Sequence, residues 1–523
     1  MIKLTWDIRR EFEKLSAENV QIKGRIPGYQ ETIRKLRQSL AKAQESREKQ
    51  KAHYEQIIAE KESLIKALES RLAHELALKA HDGTNTGMPT SQTPPGKKKV
   101  IPNSRPDTGK KRGGQPGHER HVMEPPTDDE IDAVVVHDLD DGDRCPRCNG
   151  RDRVFTGEHE DKYEIDIKVD VVRTRHEYYV YECPACGEIF RAAIPPNLRA
   201  QCQYGSETQA TALSLMNTAN AAINKTHTFL SGLTGGQVAP CEGYIAKLQR
   251  RAATALDAFM DDLRLLLITR SLVYWDETVI MINTMRGCLR FYGDETIALY
   301  TAHPHKDMDS LDEDNVLALL TPDTMVMHDH NKVNYNGKYS FLNIECNQHL
   351  QRDLQKSADD SRHSELLELK NLISETINDR KNLIEAKATE FSDDYTKRFE
   401  NRLKDILAQA EKTNIEDFGI YSGKFEKNLI KRVRKYSDNY FAWVYDFSLP
   451  TTNNLSERAL RCVKSHMKIS GQFQSEKTAG YFANIKSYVE TCRKNGINEI
   501  HALTRLCERN PYTVKEIFLT LRS

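Results

Sequence analysis

The chain has 523 residues, too many for one compact core, so its length predicts several domains. Its 76 Lys and Arg residues balance its 76 Asp and Glu residues, which excludes a uniformly basic or acidic protein and leaves local charge clusters as the signal for a polyanionic partner. We expect a cytoplasmic protein, because there is no signal peptide and no apolar run of about 18 residues. The eleven cysteines comprise two Cys-x-x-Cys pairs and scattered single residues, which favours a reducing compartment and one metal site over a disulfide framework.

The first 122 residues divide into a helical region and a flexible arm. Residues 1–80 carry a heptad seam that is apolar at its ends and polar in its middle, which predicts an oligomerising coiled coil or, alternatively, a solvated single helix. Residues 81–122 are rich in Gly, Pro, Ser and Thr and include the basic cluster Lys110, Lys111 and Arg112. This composition predicts a basic flexible linker that contacts DNA phosphates or is only solvated.

Two tight cysteine pairs follow. Cys145 and Cys148 form the first pair, Cys183 and Cys186 form the second, and the 34 residues between the pairs include a strand-like alternation from Tyr163 to Tyr181. Four thiolates supplied in this way suit the closed tetrahedral site of one structural Zn²⁺, so we predict a zinc-ribbon domain over residues 123–200. The alternative is a redox or unpaired role for these thiols.

Residues 201–265 are rich in Ala, Leu and Thr and have a Gly-rich break near Gly232–Gly236. Two helices about such a turn are compatible with a helix-turn-helix-like DNA-binding segment. The same pattern is equally common in small helical bundles that bind no DNA.

Residues 266–358 begin with a strand, Ser271–Asn283, that is apolar apart from Asp276 and Glu277. A charge in such surroundings requires a cation or a metal, and alternation along the strand puts the two carboxylates on opposite faces. We expect Glu277 to pair with a basic side chain. Turns near Met285–Gly287 and Gly293–Glu295 predict an antiparallel meander of three strands.

A helical stretch, Ser310–Leu320, then leads to a short apolar strand that ends at Asp329 and is predicted to lie parallel to the first strand. Residues 359–440 read as a charged helical insertion, and residues 441–523 complete the domain with C-terminal helices. Asn453 or Asn454 is expected to cap a helix with Glu457 in its first turns. The exposed stripe Arg458, Arg461, Lys464 and Lys468 on that helix is predicted to contact DNA.

This order of elements is that of an RNase H-like domain. Three carboxylates on separate elements, Asp276, Asp329 and Glu457, are the ligands that two Mg²⁺ ions need for phosphodiester chemistry, and Mn²⁺ can replace Mg²⁺ there. The fold class predicted is therefore multidomain α+β: a coiled coil, a zinc ribbon, a helical DNA-binding segment and an RNase H-like (DDE) catalytic domain with an α-helical insertion.

Cys346 and His349 have a spacing that would place both on one helix face. They could be zinc ligands, but no second pair lies near them in the sequence. We favour a motif that packs the insertion against the catalytic core.

Several motifs in this order resemble the bacterial DDE transposases of the insertion sequence 66 group. They are Lys111-Arg-Gly-Gly-Gln-Pro-Gly-His118, Trp275-Asp-Glu-Thr278, Cys346-Asn-Gln-His349 followed by Arg352, Asn453-Asn-Leu-Ser-Glu-Arg-Ala-Leu-Arg461, and Lys494-Asn-Gly496. The resemblance covers nearly the whole chain. The sequence departs from the family pattern at Thr452, at His330-Asn331 and at His466-Met-Lys468, and none of these departures removes a catalytic carboxylate.

The resemblance implies cut-and-paste DNA transposition: nicking at transposon ends, followed by attack of the freed 3′-OH on target DNA. It assigns the catalytic carboxylates to Asp276, Asp329 and Glu457. It also implies double-stranded DNA as partner, a homodimer or higher oligomer, accessory proteins of the same element, and a bacterial, nucleoid-associated location. The alternatives are a catalytically silent DNA-binding protein derived from a transposase and an RNase H-like nuclease that cuts without joining.

Overall fold

The structure, a computed structural model, describes residues 123–520 apart from 141, 153, 199, 362 and 417–422, together with positions 11, 14, 15, 18, 24 and 61. The predicted coiled coil, apart from those six positions, and the basic linker with Lys110, Lys111 and Arg112 lie outside the described residues. In the described part, no helix has the length and apolar character needed to cross a membrane.

The chain divides into two compact units. The first is Met1–Lys99 with Glu411–Asn428, and in its described part the Asn414 side-chain amide donates to Glu426 Oε2 at 2.7 Å and to Gly423 O at 2.9 Å. The second is Val100–Ala410 with Leu429–Ser523. All the site residues described below belong to this second unit.

The strands form two sheets. A hairpin of β1 (Val180–Glu182) and β2 (Ile189–Arg191) encloses the second cysteine pair. The main sheet is made of β3 (Leu272–Ile282), β4 (Met285–Gly293), β5 (Ala298–His303), β6 (Met325–His328) and β7 (Leu342–Glu345). The described residues between 154 and 179 form no strand, and Val154 and Ile167 are exposed there, so the alternation found in this stretch has no partner strand.

The α-helices of residues 206–507 lie before, within and after the main sheet. They are α1 (Ser206–Asn217), α2 (Ile223–Leu233), α3 (Glu242–Thr254), α4 (Asp257–Leu267), α5 (Met308–Glu313), α6 (Asn347–Ser361), α7 (Glu365–Glu385), α8 (Asp393–Glu416), α9 (Gly423–Lys435), α10 (Ser437–Tyr445), α11 (Asn454–Ser470), α12 (Glu476–Lys494) and α13 (Glu499–Cys507).

The main sheet has the strand order β5-β4-β3-β6-β7. Strands β3, β4 and β5 are antiparallel, whereas β6 and β7 run parallel to β3. This mixed sheet is consistent with the RNase H-like domain that the sequence predicts. Strand β3 lies at its centre, which explains why that strand is apolar on both faces over most of its length.

Three local predictions differ from the structure. The first turn lies at Asn283 and Thr284, both with positive φ, and Met285–Gly287 belongs to β4. The turn is fixed by tertiary contacts, since Asn283 N donates to Phe473 O at 2.9 Å. The predicted helix Ser310–Leu320 is shorter, because α5 ends at Glu313 and a 3₁₀ turn follows at Leu317–Leu319. Strand β7 was not predicted.

Helix α12 covers the edge strand β5 with hydroxyl groups as well as apolar ones. Ser487 Oγ accepts from Tyr300 N at 2.8 Å, and Thr491 Oγ1 accepts from Ala298 N at 3.1 Å. The edge amides of β5 therefore have partners, which removes a template for pairing with another strand.

The helices α1–α4 pack against the C-terminal helices. Ser214 of α1 and Thr218, the residue that follows this helix, both donate to Glu499 Oε1 at 2.6 Å, and the Phe259 ring meets Tyr488 edge-on at 5.1 Å. This segment and residues 476–507 therefore share one core.

Candidate active site

Asp276 and Asp329 lie at the same level of two neighbouring parallel strands. The register pairs Tyr274 with Met327, and each chain reaches its aspartate two residues later. Both carboxylates line a cleft of 270 Å³ at the end of β6. The parallel pairing predicted from the sequence therefore accounts for their meeting.

Glu457 reaches the same region from the first turn of α11, and His349 reaches it from the first turn of α6. His349 Nδ1 lies 3.0 Å from Asp329 Oδ1 and 3.7 Å from Glu457 Oε1. With Cys346, these residues offer four ligand atoms that all lie within 4.8 Å of one another. Asp276 adjoins Asp329 in the cleft but is outside this group of four.

Buried charges at the site shift the pKa values of Asp276 and His349. Burial and the neighbouring charge of Asp329 raise the pKa of Asp276 to about 7. Asp329 Oδ1 and Glu457 Oε1 are buried and face the His349 imidazole; burial lowers the pKa of His349, but the contact with Asp329 outweighs it and raises this pKa to about 10. Buried carboxylate oxygens suit a bound cation, so the three predicted carboxylates fit divalent metal ions.

Asn453 connects the elements that carry these groups. Its side-chain amide donates to Trp275 O at 3.0 Å, and its backbone N–H donates to Cys346 Sγ at 3.2 Å. Its carbonyl accepts the N–H of Glu457 at 3.1 Å. The sequence predicts a helix cap here, but although Asn453 occupies the position before α11, its side chain makes no capping bond and reaches β3 instead.

Comparison with known families decides the classification. The model of the transposase IS66 family matches residues 201–481, which include the main sheet, the insertion and Glu457. The chain belongs to the IS66 transposase family. This confirms the resemblance drawn from the motifs. No curated protein matches the chain.

In this IS66-family protein, Glu277 forms ion pairs with two basic side chains. Its carboxylate lies 2.8 Å from Lys306 Nζ and 3.4 Å from Arg290 Nε, as expected for a residue that pairs with basic side chains. Glu277 nevertheless lines the same cleft as Asp276. Because β6 pairs with β3 only as far as Tyr274, the strand edge beyond that residue is open to side chains from both faces.

The predicted DNA-contacting stripe lies on the outside of α11. All four of its side chains are exposed, and none makes an ion pair with another described residue: Arg458, Arg461, Lys464 and Lys468. Lys464 is close enough to Asp276 to oppose the rise in the pKa of that carboxyl group. The stripe therefore begins beside the cleft.

The two cysteine pairs form matching turns. In the first, Cys145 N donates to Gly150 O and Asn149 N donates to Cys145 O; in the second, Cys183 makes the same bonds with Glu188 and Gly187. Backbone N–H groups lower the pKa of Cys145 and of Cys183, which favours the thiolate that zinc binds. Among the described residues the four sulfurs are not gathered into one ligand group.

Two residues of the site, Cys346 and His349, were not assigned to it from the sequence. Their spacing is compatible with metal ligands, but no second pair of ligands lies near them in the sequence. The structure places Asp329 and Glu457 beside them, from the end of β6 and the start of α11.

Proposed function

We propose that this IS66-family protein is a DDE transposase that binds transposon ends, cleaves the DNA strand and joins it to target DNA. One observation carries the proposal: three elements that are distant in sequence bring Asp276, Asp329 and Glu457 around one region of the sheet. Membership of the transposase family supports the same reading.

The three carboxylates would hold two Mg²⁺ ions, or Mn²⁺, which activate the attacking oxygen and stabilise the leaving oxygen of a phosphodiester. Because burial and Asp329 raise the pKa of Asp276 to about 7, this carboxyl group would release a proton near neutral pH if a divalent ion bound to it. Lys306 and Asn331 line the cleft beside Glu277 and would contact a phosphate bound there.

The remaining assignments belong to the same proposal. DNA is held along α11 by Arg458, Arg461, Lys464 and Lys468, and by Lys110, Lys111 and Arg112 of the linker. Cys145, Cys148, Cys183 and Cys186 bind one structural Zn²⁺. The N-terminal helical region forms a homodimer or higher oligomer, because synapsis of two ends needs more than one subunit, and accessory proteins of the element take part.

The decisive experiment measures Mg²⁺-dependent cleavage and strand transfer on a duplex that carries the ends of the element. Asp276→Asn, Asp329→Asn and Glu457→Gln should each lower the cleavage and strand-transfer rates more than about a hundredfold, while DNA binding is retained. Loss of a residue that only supports a metal ligand costs up to about a hundredfold, so loss of a ligand itself should cost more. Asp323→Asn and Glu508→Gln make the same chemical changes at exposed positions and should leave both rates unchanged.

A wild-type protein that binds the ends specifically but never cuts, even with accessory proteins present, would overturn the catalytic proposal. The chain would then be a silent DNA-binding protein derived from a transposase. Cleavage without any strand transfer would instead identify a nuclease.

A further inference from the structure

The group formed by Asp329, Cys346, His349 and Glu457 is more than a pair of catalytic carboxylates. It contains two oxygen donors, one imidazole nitrogen and one sulfur; Cys346 and His349 lie at the start of α6, Asp329 at the end of β6 and Glu457 in the first turn of α11. Mg²⁺ prefers oxygen ligands in octahedral geometry, so a sulfur and an imidazole have no part in holding it. Tetrahedral Zn²⁺ takes this mixture of donors.

The spacing of the donors also fits a four-coordinate ion. Bond lengths to Zn²⁺ at tetrahedral angles place nitrogen and oxygen ligands about 3.3 Å apart. The distances from His349 Nδ1 to Asp329 Oδ1 and Glu457 Oε1, 3.0 and 3.7 Å, lie on either side of this value. The same contacts form an ion pair between the imidazole and the two carboxylates, so a metal ion bound there would replace the imidazole proton.

The sulfur of Cys346 is fixed beside the other three donors. Cys346 is buried, and the backbone N–H of Asn453 donates to its Sγ at 3.2 Å. Asn453 immediately precedes α11, so this bond ties the sulfur to the start of the helix that carries Glu457.

We propose that Asp329, Cys346, His349 and Glu457 form a binding site for a divalent cation of the Zn²⁺ class, and that its occupation excludes Mg²⁺ from the active site. The second half of this inference rests on the proposed function, because Mg²⁺ is lost only if Asp329 and Glu457 are its ligands. Zinc would then hold the protein in an inactive state by occupying two of the three catalytic carboxylates.

Arg352 opposes the binding of zinc to His349. Its Nη1 lies 3.2 Å from His349 Nε2, and since a guanidinium only donates, it requires a lone pair on Nε2 and a proton on Nδ1. Metal binding through Nδ1 requires the opposite arrangement. Arg352 is exposed and must turn away when zinc binds, so Arg352→Ala should strengthen zinc binding.

The first test is the zinc content of the full-length chain after equilibration with a weak chelator. Cys346→Ser and His349→Ala should each lose about one Zn²⁺ per chain, while Cys241→Ser and His501→Ala, which alter exposed residues elsewhere, should lose none. Equal zinc content in the wild type and both site variants would overturn the site.

The second test uses Mn²⁺ as a paramagnetic substitute for Mg²⁺ and requires no DNA. Zn²⁺ should displace bound Mn²⁺ from the wild type, displacement from Cys346→Ser should need at least about tenfold more Zn²⁺, and displacement from Arg352→Ala should need less than in the wild type. Equal displacement in all three proteins would overturn the exclusion of Mg²⁺. If the wild type binds no Mn²⁺ at all, both the proposed function and the exclusion of Mg²⁺ are wrong. The zinc content measured in the first test still shows separately whether the zinc site exists.

Discussion

At the scale of single residues, Asp276 and Glu277 show how neighbours on one strand acquire different properties. Glu277 has two cations within 3.4 Å and is compensated inside the protein. Asp276 faces a second carboxylate instead, and burial adds to the repulsion, so its pKa rises to about 7. The sequence predicted basic partners for Glu277, and the structure has them, because a charge within an apolar strand must be compensated.

The raised pKa has a consequence for stability in the absence of metal. Since the native pKa of Asp276 exceeds the unfolded value, the native state binds more protons, and its stability falls as pH rises from about 4 to about 7. Asp276→Asn removes this cost, so at pH 8 without metal the variant should melt a few °C above the wild type, with a smaller difference at pH 5.

Thermal unfolding at both pH values, with and without Mg²⁺, tests this expectation. Mg²⁺ should raise the melting temperature of the wild type at pH 8 and have less effect on the variant. Asp323→Asn serves as the exposed control. A difference between wild type and Asp276→Asn that does not change with pH would contradict the assigned pKa.

At the scale of elements, strands with an apolar run were predictable, whereas a strand without one and a turn set by tertiary contacts were not. Strands β3 and β6 carry their own apolar signal, and their parallel pairing follows from the intervening helix. Strand β7 has polar residues at two of its four positions, and the turn at Asn283–Thr284 is held by Phe473, far along the chain. Local sequence contains neither of these facts.

Asn453 is predicted to position one secondary-structure element, α11, relative to β3. Asn453→Ala removes the bond to Trp275 O, which fixes the start of α11, and hence Glu457, relative to the residue before Asp276. We expect at least about a tenfold loss of cleavage rate, weaker Mn²⁺ binding and unchanged DNA affinity, the pattern of a residue that positions metal ligands. Cleavage kinetics and Mn²⁺ titration measure these effects.

The exposed neighbour provides the control. Asn454→Ala changes the same kind of side chain one residue later and should leave both cleavage and Mn²⁺ binding close to wild type. Equal losses in the two variants would mean that the start of α11 is merely sensitive to substitution, and the positioning role of Asn453 would be wrong.

At the scale of the whole molecule, the site is assembled from segments that the sequence could order but not bring together. Asp276, Asp329 and Glu457 were found by the order of their elements, whereas the proximity of His349 to two of them depends on how α6 and α11 meet the sheet. The same limit applies to residues 201–265. Their helical pattern was clear, but their shared core with α12 and α13 arises from contacts with residues more than two hundred positions away.

Little of the cysteine-rich region, residues 123–200, is buried, in contrast to the rest of the second unit. Its large apolar side chains, such as Val154, Tyr179 and Phe190, are exposed, and one of its bonds to the helical segment is that of Arg173 to Gln237 Oε1 at 2.8 Å. A segment of this size without a core of its own needs another source of order, and the proposed zinc site at the paired cysteine turns would supply it.

Cys183→Ser should therefore remove zinc and order from residues 123–200 while leaving the RNase H-like domain folded. We expect the loss of about one Zn²⁺ per chain, faster proteolysis within that region, and a main melting transition within about 2 °C of wild type. Cys202→Ser, at an exposed single cysteine, should change none of these. If Cys183→Ser instead shifted the main transition together with the zinc loss, the region would be part of the catalytic core, and its independence would be wrong.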